Sequence, residues 1–157
     1  MTIPFILNGE DVLIQTDPGE RLVTVLRNDF HLLGTKEGCM TGRCGSCAVI
    51  CNGKVVPSCM LAMFQVSGSE IITIEGFSQT TEYKLITQGF EEAGVQMCGY
   101  CNTGKILTAY TFFEKKAQPD DTEIIKAYSG TMCRCTNISD IVRGVKNALK
   151  LKAGKNI

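Results

Sequence analysis

The stretch Gly38-Cys39-Met40-Thr41-Gly42-Arg43-Cys44-Gly45-Ser46-Cys47 decides how the first half of this chain folds, and Cys59 follows it after eleven intervening residues. Three cysteines crowd into nine residues, glycines stand among them, and a fourth cysteine lies apart. A loop this rich in glycine must take unusual φ values and turn its N–H groups inward, which Cβ atoms would obstruct. The pattern on either side is that of strands. Upstream, Ile3-Pro4-Phe5-Ile6-Leu7 and Asp11-Val12-Leu13-Ile14-Gln15 flank Asn8-Gly9-Glu10, the signature of a β-hairpin. Leu22, Val23, Val25, Leu26 and Phe30 fit a short helix packed on that hairpin. Downstream, Ala48-Val49-Ile50-Cys51 and Lys54-Val55-Val56 flank Asn52-Gly53 as a second hairpin, and Ile71-Ile72-Thr73-Ile74 reads as a further strand. Residues 1–76 are therefore expected to form a small α+β domain.

Beyond Gly76 the apolar period changes from two to 3.6. Tyr83, Ile86, Phe90 and Ala93 share one helical face, as do Ile106, Leu107, Tyr110 and Phe113. Ile124, Ile125 and Tyr128 make a short third stripe, and Ile138, Ile141, Val142, Val145 and Leu149 a fourth. Residues 77–157 are thus expected to be a four-helix domain. Residues 115–122 form a polar break between helices. Thr136 or Asn137 is the expected cap of the last helix, with Asp140 in its first turn and Lys146, Lys150 and Lys152 near its end, as the helix dipole favours.

The spacing C-x4-C-x2-C, with a distant fourth cysteine, is that of plant-type [2Fe–2S] loops, whose reduction potentials lie near about −400 mV. The alternative is zinc, but structural zinc sites are built from paired short knuckles, and three ligands in nine residues depart from that. The second constellation, Cys98-Gly99-Tyr100-Cys101 and Cys133-Arg134-Cys135, is ambiguous by spacing alone. It fits a four-cysteine zinc site or, at Cys98 and Cys101, a thiol redox pair. Both pairs fall at helix starts, where the dipole stabilises thiolate charge.

The remaining features narrow the function classes. Sixteen basic side chains balance sixteen acidic ones, without the basic footprint of a nucleic-acid binder. No signal-peptide pattern opens the chain and no apolar run nears the roughly 18 residues of a membrane span, so a cytoplasmic, non-membrane protein is expected. In that compartment nine cysteines point to metal or catalysis rather than to a disulfide framework.

Asn8-Gly9, Gly34-Thr35-Lys36-Glu37-Gly38-Cys39, Gly42-Arg43-Cys44-Gly45-Ser46-Cys47, Ser58-Cys59, Glu75-Gly76, Cys98-Gly99-Tyr100-Cys101 and Cys133-Arg134-Cys135-Thr136 together resemble the small iron–sulfur subunit of the molybdenum hydroxylases, a family that includes xanthine dehydrogenase, aldehyde oxidoreductase and carbon monoxide dehydrogenase. The overall cast is close to nicotinate dehydrogenase small subunits, which points to an N-heterocycle such as nicotinate as substrate. The resemblance implies a ferredoxin-like β-grasp domain followed by a four-helix-bundle domain. It further implies two [2Fe–2S] clusters, one on Cys39, Cys44, Cys47 and Cys59 and the other on Cys98, Cys101, Cys133 and Cys135. Molybdopterin would lie in a large partner subunit beside the helical-domain cluster, and FAD in a medium partner subunit beside the plant-type cluster. Electrons would run from molybdenum through both clusters to the flavin. By the same resemblance Cys135 is the ligand nearest the pterin. Three departures bear on that contact. Met97 stands where the family has Gln, with Gln96 one position earlier; Asn102-Thr103-Gly104 replaces Thr-Pro-Gly; and Gly130-Thr131-Met132 replaces Gly-Asn-Leu.

Cys51 fits neither ligand set and reads as a free, partly buried thiol on a strand. His31 is the only histidine, so a Rieske-type centre, which needs two, is excluded. Tyr100 is expected to shield the second cluster, and Phe64, Phe77, Phe90, Phe112 and Phe113 to be core or interface. The rival functions are a stand-alone thiol oxidoreductase using Cys98 and Cys101, and a zinc-stapled interaction module.

Overall fold

The computed structural model describes residues 1–115 and 118–155, so Lys116 and Ala117 of the expected polar break lie outside the described residues. The first half is a five-stranded sheet, ordered β2-β1-β5-β3-β4. Strands β1 (Thr2–Leu7) and β2 (Glu10–Gln15) pair antiparallel with Leu7 opposite Glu10. β3 (Ala48–Cys51) and β4 (Lys54–Pro57) do the same with Cys51 opposite Lys54. Both hairpins close on Asn-Gly, and all four of these turn residues have positive φ: Asn8 51°, Gly9 87°, Asn52 48° and Gly53 78°. Such a turn matches the right-handed twist of the strands it joins. Ile3, Phe5 and Leu7 alternate inward along β1 and meet Leu22, Val25 and Leu26 of helix α1 (Leu22–Asn28). After the short helix α2 (Met63–Val66), strand β5 (Glu70–Ile72) enters between β1 and β3, parallel to the first and antiparallel to the second. This is a β-grasp.

Strand β5 stops short of its expected end at Ile74. Thr73 leaves the sheet because its N–H donates to Asn8 Oδ1 at 2.8 Å, and Ile74 opens a short helix, α3 (Ile74–Phe77). Four helices then follow, α4 (Thr81–Glu92), α5 (Asn102–Tyr110), α6 (Asp121–Ala127) and α7 (Ile138–Gly154). Asp120 caps α6 through Glu123 N–H in a reciprocal capping box. Asn137 does occupy the cap position of α7, but its side chain makes no capping bond, and the Thr136 hydroxyl is engaged with Gln96 instead. None of the helices among the described residues is long and apolar enough to cross a membrane.

The two halves share a core. Along β3, Val49 faces the α1 side, while Ala48 and Ile50 pack with Phe77, Ile106, Leu107 and Phe112 of the helical half. A strand buried on both faces reads as continuous apolar sequence, which accounts for Ala48-Val49-Ile50. Full burial of a side chain such as Ile50 stabilises by about 1.5–3 kcal/mol. The end of β3 that is fixed in this way is the end that receives the cysteine loop.

Candidate metal centres

The cysteine loop enters at Gly34, and Gly34 is held from both sides. Its N–H donates to Glu75 Oε1 at 2.7 Å, and its carbonyl accepts from the buried Thr103 hydroxyl of α5 at 2.8 Å. The other Glu75 oxygen accepts from the Thr73 hydroxyl at 2.7 Å, and Thr73 is bound in turn to Asn8. A Cβ on Gly76 would fall inside the Asn8 side chain. Asn8, Gly34, Glu75 and Gly76 carry no metal chemistry; folded, they are one clamp on the mouth of the loop. Thr103 supplies the hydroxyl that ties this clamp to the helical half.

Within the loop the backbone turns through the left-handed region at Met40, Gly42 and Gly45. Its amides then face sulfur. Cys39 Sγ accepts from Thr41 N–H at 3.4 Å and Arg43 N–H at 3.2 Å, and Cys44 Sγ accepts from Cys39 N–H at 3.4 Å. The Thr41 hydroxyl, helped by these amides, holds the Cys39 thiol down at about 6. Cys47 is 2% exposed, and burial pushes its thiol up to about 11, with the Cys59 thiol as a further influence. Thiolate reactivity follows these values. In the reduced, iron-free chain, iodoacetamide labelling of Cys39 should rise with pH through about 6 and level off by about pH 7. Cys47 should stay unlabelled over that range, and peptide mass spectrometry after a pH series checks both.

The second set is drawn together from two helix starts. Cys101 immediately precedes α5, and Cys133 and Cys135 precede α7. Cys101 and Cys133 are neighbours, as are Cys98 and Cys135, and each thiol acts on the titration of the other. Helix-start placement does not lower every thiol: burial pushes Cys101 up to about 11, because desolvation outweighs the dipole there. Exposed Cys98 is lowered, first by the Tyr100 N–H. Cys133 is lowered despite burial, through the Cys135 N–H, the Cys101 thiol and the Thr136 N–H. Cys135, also exposed, is raised by the Cys98 thiol it faces.

A cavity of about 530 Å³ is lined by cysteines of both sets, Cys39 and Cys44 with Cys98, Cys101, Cys133 and Cys135. Close backbone approach makes this possible. A Cβ on Gly104 would lie 2.7 Å from the Gly45 carbonyl oxygen, and one on Gly45 would lie 2.9 Å from that of Gly130. Across this junction Met132 N–H donates to the Cys44 carbonyl at 3.0 Å, linking a residue of the first set to the neighbour of Cys133. Tyr100 stands at the cavity rim with 60% of its surface exposed. Gln96 is exposed, whereas Met97 is half-buried and packs on the helical core. Cys51 is a half-buried free thiol on β3, apart from both sets, and His31 is exposed. Phe77, Phe90, Phe112 and Phe113 are core, and Phe64 is exposed.

Residues 5–70 match the family described as a 2Fe-2S iron-sulfur cluster binding domain, and residues 73–146 the one described as a [2Fe-2S] binding domain. The chain is 45% identical to the nicotinate dehydrogenase small FeS subunit of Eubacterium barkeri, covering 96% of each. It is 32% identical to the xanthine dehydrogenase iron-sulfur-binding subunit of Escherichia coli, over 97% of this chain and 96% of that one. Among solved structures, it superposes on a chain of quinoline 2-oxidoreductase from Pseudomonas putida 86 with a TM-score of 0.88 at 31% identity, covering 99% and 96% of the two chains.

Proposed function

The chain belongs to the small iron–sulfur subunits of the molybdenum hydroxylase family, and from that premise we propose that it relays electrons from a molybdopterin in a large partner subunit, through two [2Fe–2S] clusters, to an FAD in a medium partner subunit. The observation that carries this reading is the junction itself: both cysteine sets line one cavity, and the Met132 to Cys44 hydrogen bond bridges their backbones.

In this proposal residues 1–76 hold one cluster on Cys39, Cys44, Cys47 and Cys59, and residues 77–157 hold the other on Cys98, Cys101, Cys133 and Cys135. The donor chemistry fits. A four-thiolate site for two irons takes two thiolates per iron, and three of the four pairs this needs are already neighbours that act on one another's titration, Cys47 with Cys59, Cys98 with Cys135, and Cys101 with Cys133. The fourth pair, Cys39 and Cys44, is joined by the Cys39 amide. Ser46 Oγ, wholly buried between Cys44 and Cys47, has no hydrogen-bond partner among the described residues, and cluster sulfur would give it one. When bound, each cluster supplies a one-electron carrier. The protein's part is to aim the Cys39, Thr41 and Arg43 amides at sulfur, to bury Cys47, Cys59 and Cys101, and to leave Cys98 and Cys135 on the surface.

Exposed Cys135 would meet the pterin-bearing partner. Met97 turns into the core, so it leaves the pterin contact of the family's Gln to Gln96, the exposed neighbour. Nicotinate, xanthine and quinoline, which the relatives' names carry, are all nitrogen heterocycles, and the substrate proposed for the complex is of that class. Cytoplasmic assembly follows from the same reading. Purified with its partners, the chain should contain about four irons and give two distinct EPR signals on reduction. Zinc in place of iron, or co-purifying partners without molybdopterin and flavin, would overturn it.

A further inference from the structure

Lys105 is wholly buried on α5, four residues after Cys101. A buried ammonium is costly unless an opposite charge or a full set of acceptors surrounds it. Its one hydrogen bond among the described residues is to the Gln96 carbonyl, a neutral group, and neither ion pair of the described residues includes it. The thiols of the second set surround this position: Gln96, which it binds, lies two residues before Cys98 and is bound by Thr136, the residue after Cys135, and Cys101 lies one helical turn before Lys105. Hydrogen bonds and burial are the larger influences on those thiols, and Lys105 adds a pull toward thiolate on every one of them. Lys105 is not among the main influences on Cys39 or Cys47.

The same ammonium sits at a structural crossing. The Gln96 carbonyl that it binds also accepts from the Thr136 hydroxyl, and the Gln96 N–H donates back to that hydroxyl at 2.9 Å. One residue, two positions before Cys98, is therefore tied both to α5 and to the residue after Cys135. The Tyr128 hydroxyl donates to the Lys105 carbonyl at 2.7 Å and fixes the backbone that carries the side chain.

We propose that Lys105 is the built-in counter-charge of the helical-domain cluster, holding the two cysteine-bearing segments through Gln96 and raising that cluster's reduction potential above what its thiolates alone would set. This rests on the cluster assignment of the preceding section. Uptake of one electron, supplied by the partner's molybdenum site or by a chemical reductant, adds a unit of negative charge to an already anionic group. A fixed positive charge in a dry site stabilises the reduced form more than the oxidised one. Positioned so, Lys105 also offsets the cost of gathering four thiolates in a partly buried site.

The test uses the full chain in its complex, with Lys105→Met, which keeps length and removes charge, and Lys105→Arg, which keeps charge. Iron content and EPR-monitored redox titration of both clusters are the readouts. Lys105→Met should lower the reduced-to-oxidised ratio of the helical-domain cluster at fixed potential by about tenfold, about 59 mV for a one-electron couple, and leave the plant-type cluster unmoved. Lys105→Arg should retain the wild-type ratio within about threefold. Loss of helical-domain iron in Lys105→Met but not in Lys105→Arg supports the same conclusion. Full iron with an unmoved midpoint in Lys105→Met overturns it, as does equal iron loss in both variants, which would make size rather than charge the requirement. Absence of iron from the wild-type complex would instead overturn the cluster reading beneath it.

Discussion

Gly89→Val is expected to lower the melting temperature of the chain by on the order of 10 °C or more. Gly89 lies inside α4 where that helix packs against α7. A Cβ there would sit 2.5 Å from Ala148 N, 2.8 Å from Ala148 Cα and 2.8 Å from the Gly144 carbonyl oxygen. All three are backbone atoms of α7, held by that helix's own ladder, so no rotamer change relieves the clash. Overpacking against movable side chains costs about 1–3 kcal/mol, and immovable backbone belongs at or above the upper end. The helix-propensity gain on replacing glycine, under about 1 kcal/mol for valine, opposes this and is too small to reverse it. Gly154→Ala is the matched control. It lies in the last turn of α7 with nothing among the described residues within 4 Å of an added methyl, so it should be neutral or slightly stabilising. Circular dichroism melts of the two variants decide the matter, and an unchanged melt for Gly89→Val would refute the close packing. Because α7 follows Cys133 and Cys135 directly, the same variant should also hold helical-domain iron poorly.

What could be read from the sequence was what depends on local period and local turn chemistry. Asn8-Gly9 and Asn52-Gly53 announced their hairpins because positive φ at both turn positions is a property of those residues themselves. The four helices were legible from their apolar period, although Ile125 and Ile138, read into the third and fourth stripes, are exposed. The separation of Cys51 from the two cysteine sets was legible too. Long-range hydrogen bonds had no such signature. Thr73 looks like one more strand residue until Asn8, 65 positions away, takes its amide, and Ile74 follows it into a helix. Glu75 and Thr103 meet only at Gly34, across 41 and 69 positions. Asn137 is a good cap former by type, yet local propensity does not decide which side chain bonds when Thr136 is already committed to Gln96. Lys105 was the least visible. In the sequence it is one lysine on a helix, where an exposed place is the usual outcome, and only its complete burial near four thiols makes it singular.

Cys44→Ser is expected to halve the iron of the purified complex, from about four atoms to about two, while Cys51→Ser leaves it whole. Both are cysteines of the first half, so general loss of a thiol from that domain predicts equal effects, and the ligand assignment predicts opposite ones. Cys44 is buried, its sulfur accepts the Cys39 amide, and it lines the shared cavity; Cys51 is half-buried at the far end of β3 and packs only at the edge of the α1 core. Serine is nearly isosteric, so the loop should keep its course. The contact that joins the halves should persist too, because Met132 bonds the carbonyl of residue 44 and not its side chain. The EPR signal that remains in Cys44→Ser should therefore be that of the helical-domain cluster, with its midpoint near the wild-type value, and this identifies which of the two signals Lys105 ought to move. Equal iron loss in both variants would show that the four-ligand assignment in the first half is wrong. Loss of both signals in Cys44→Ser alone would mean that the junction depends on the occupied loop rather than on the backbone contacts at Gly45, Gly104 and Met132.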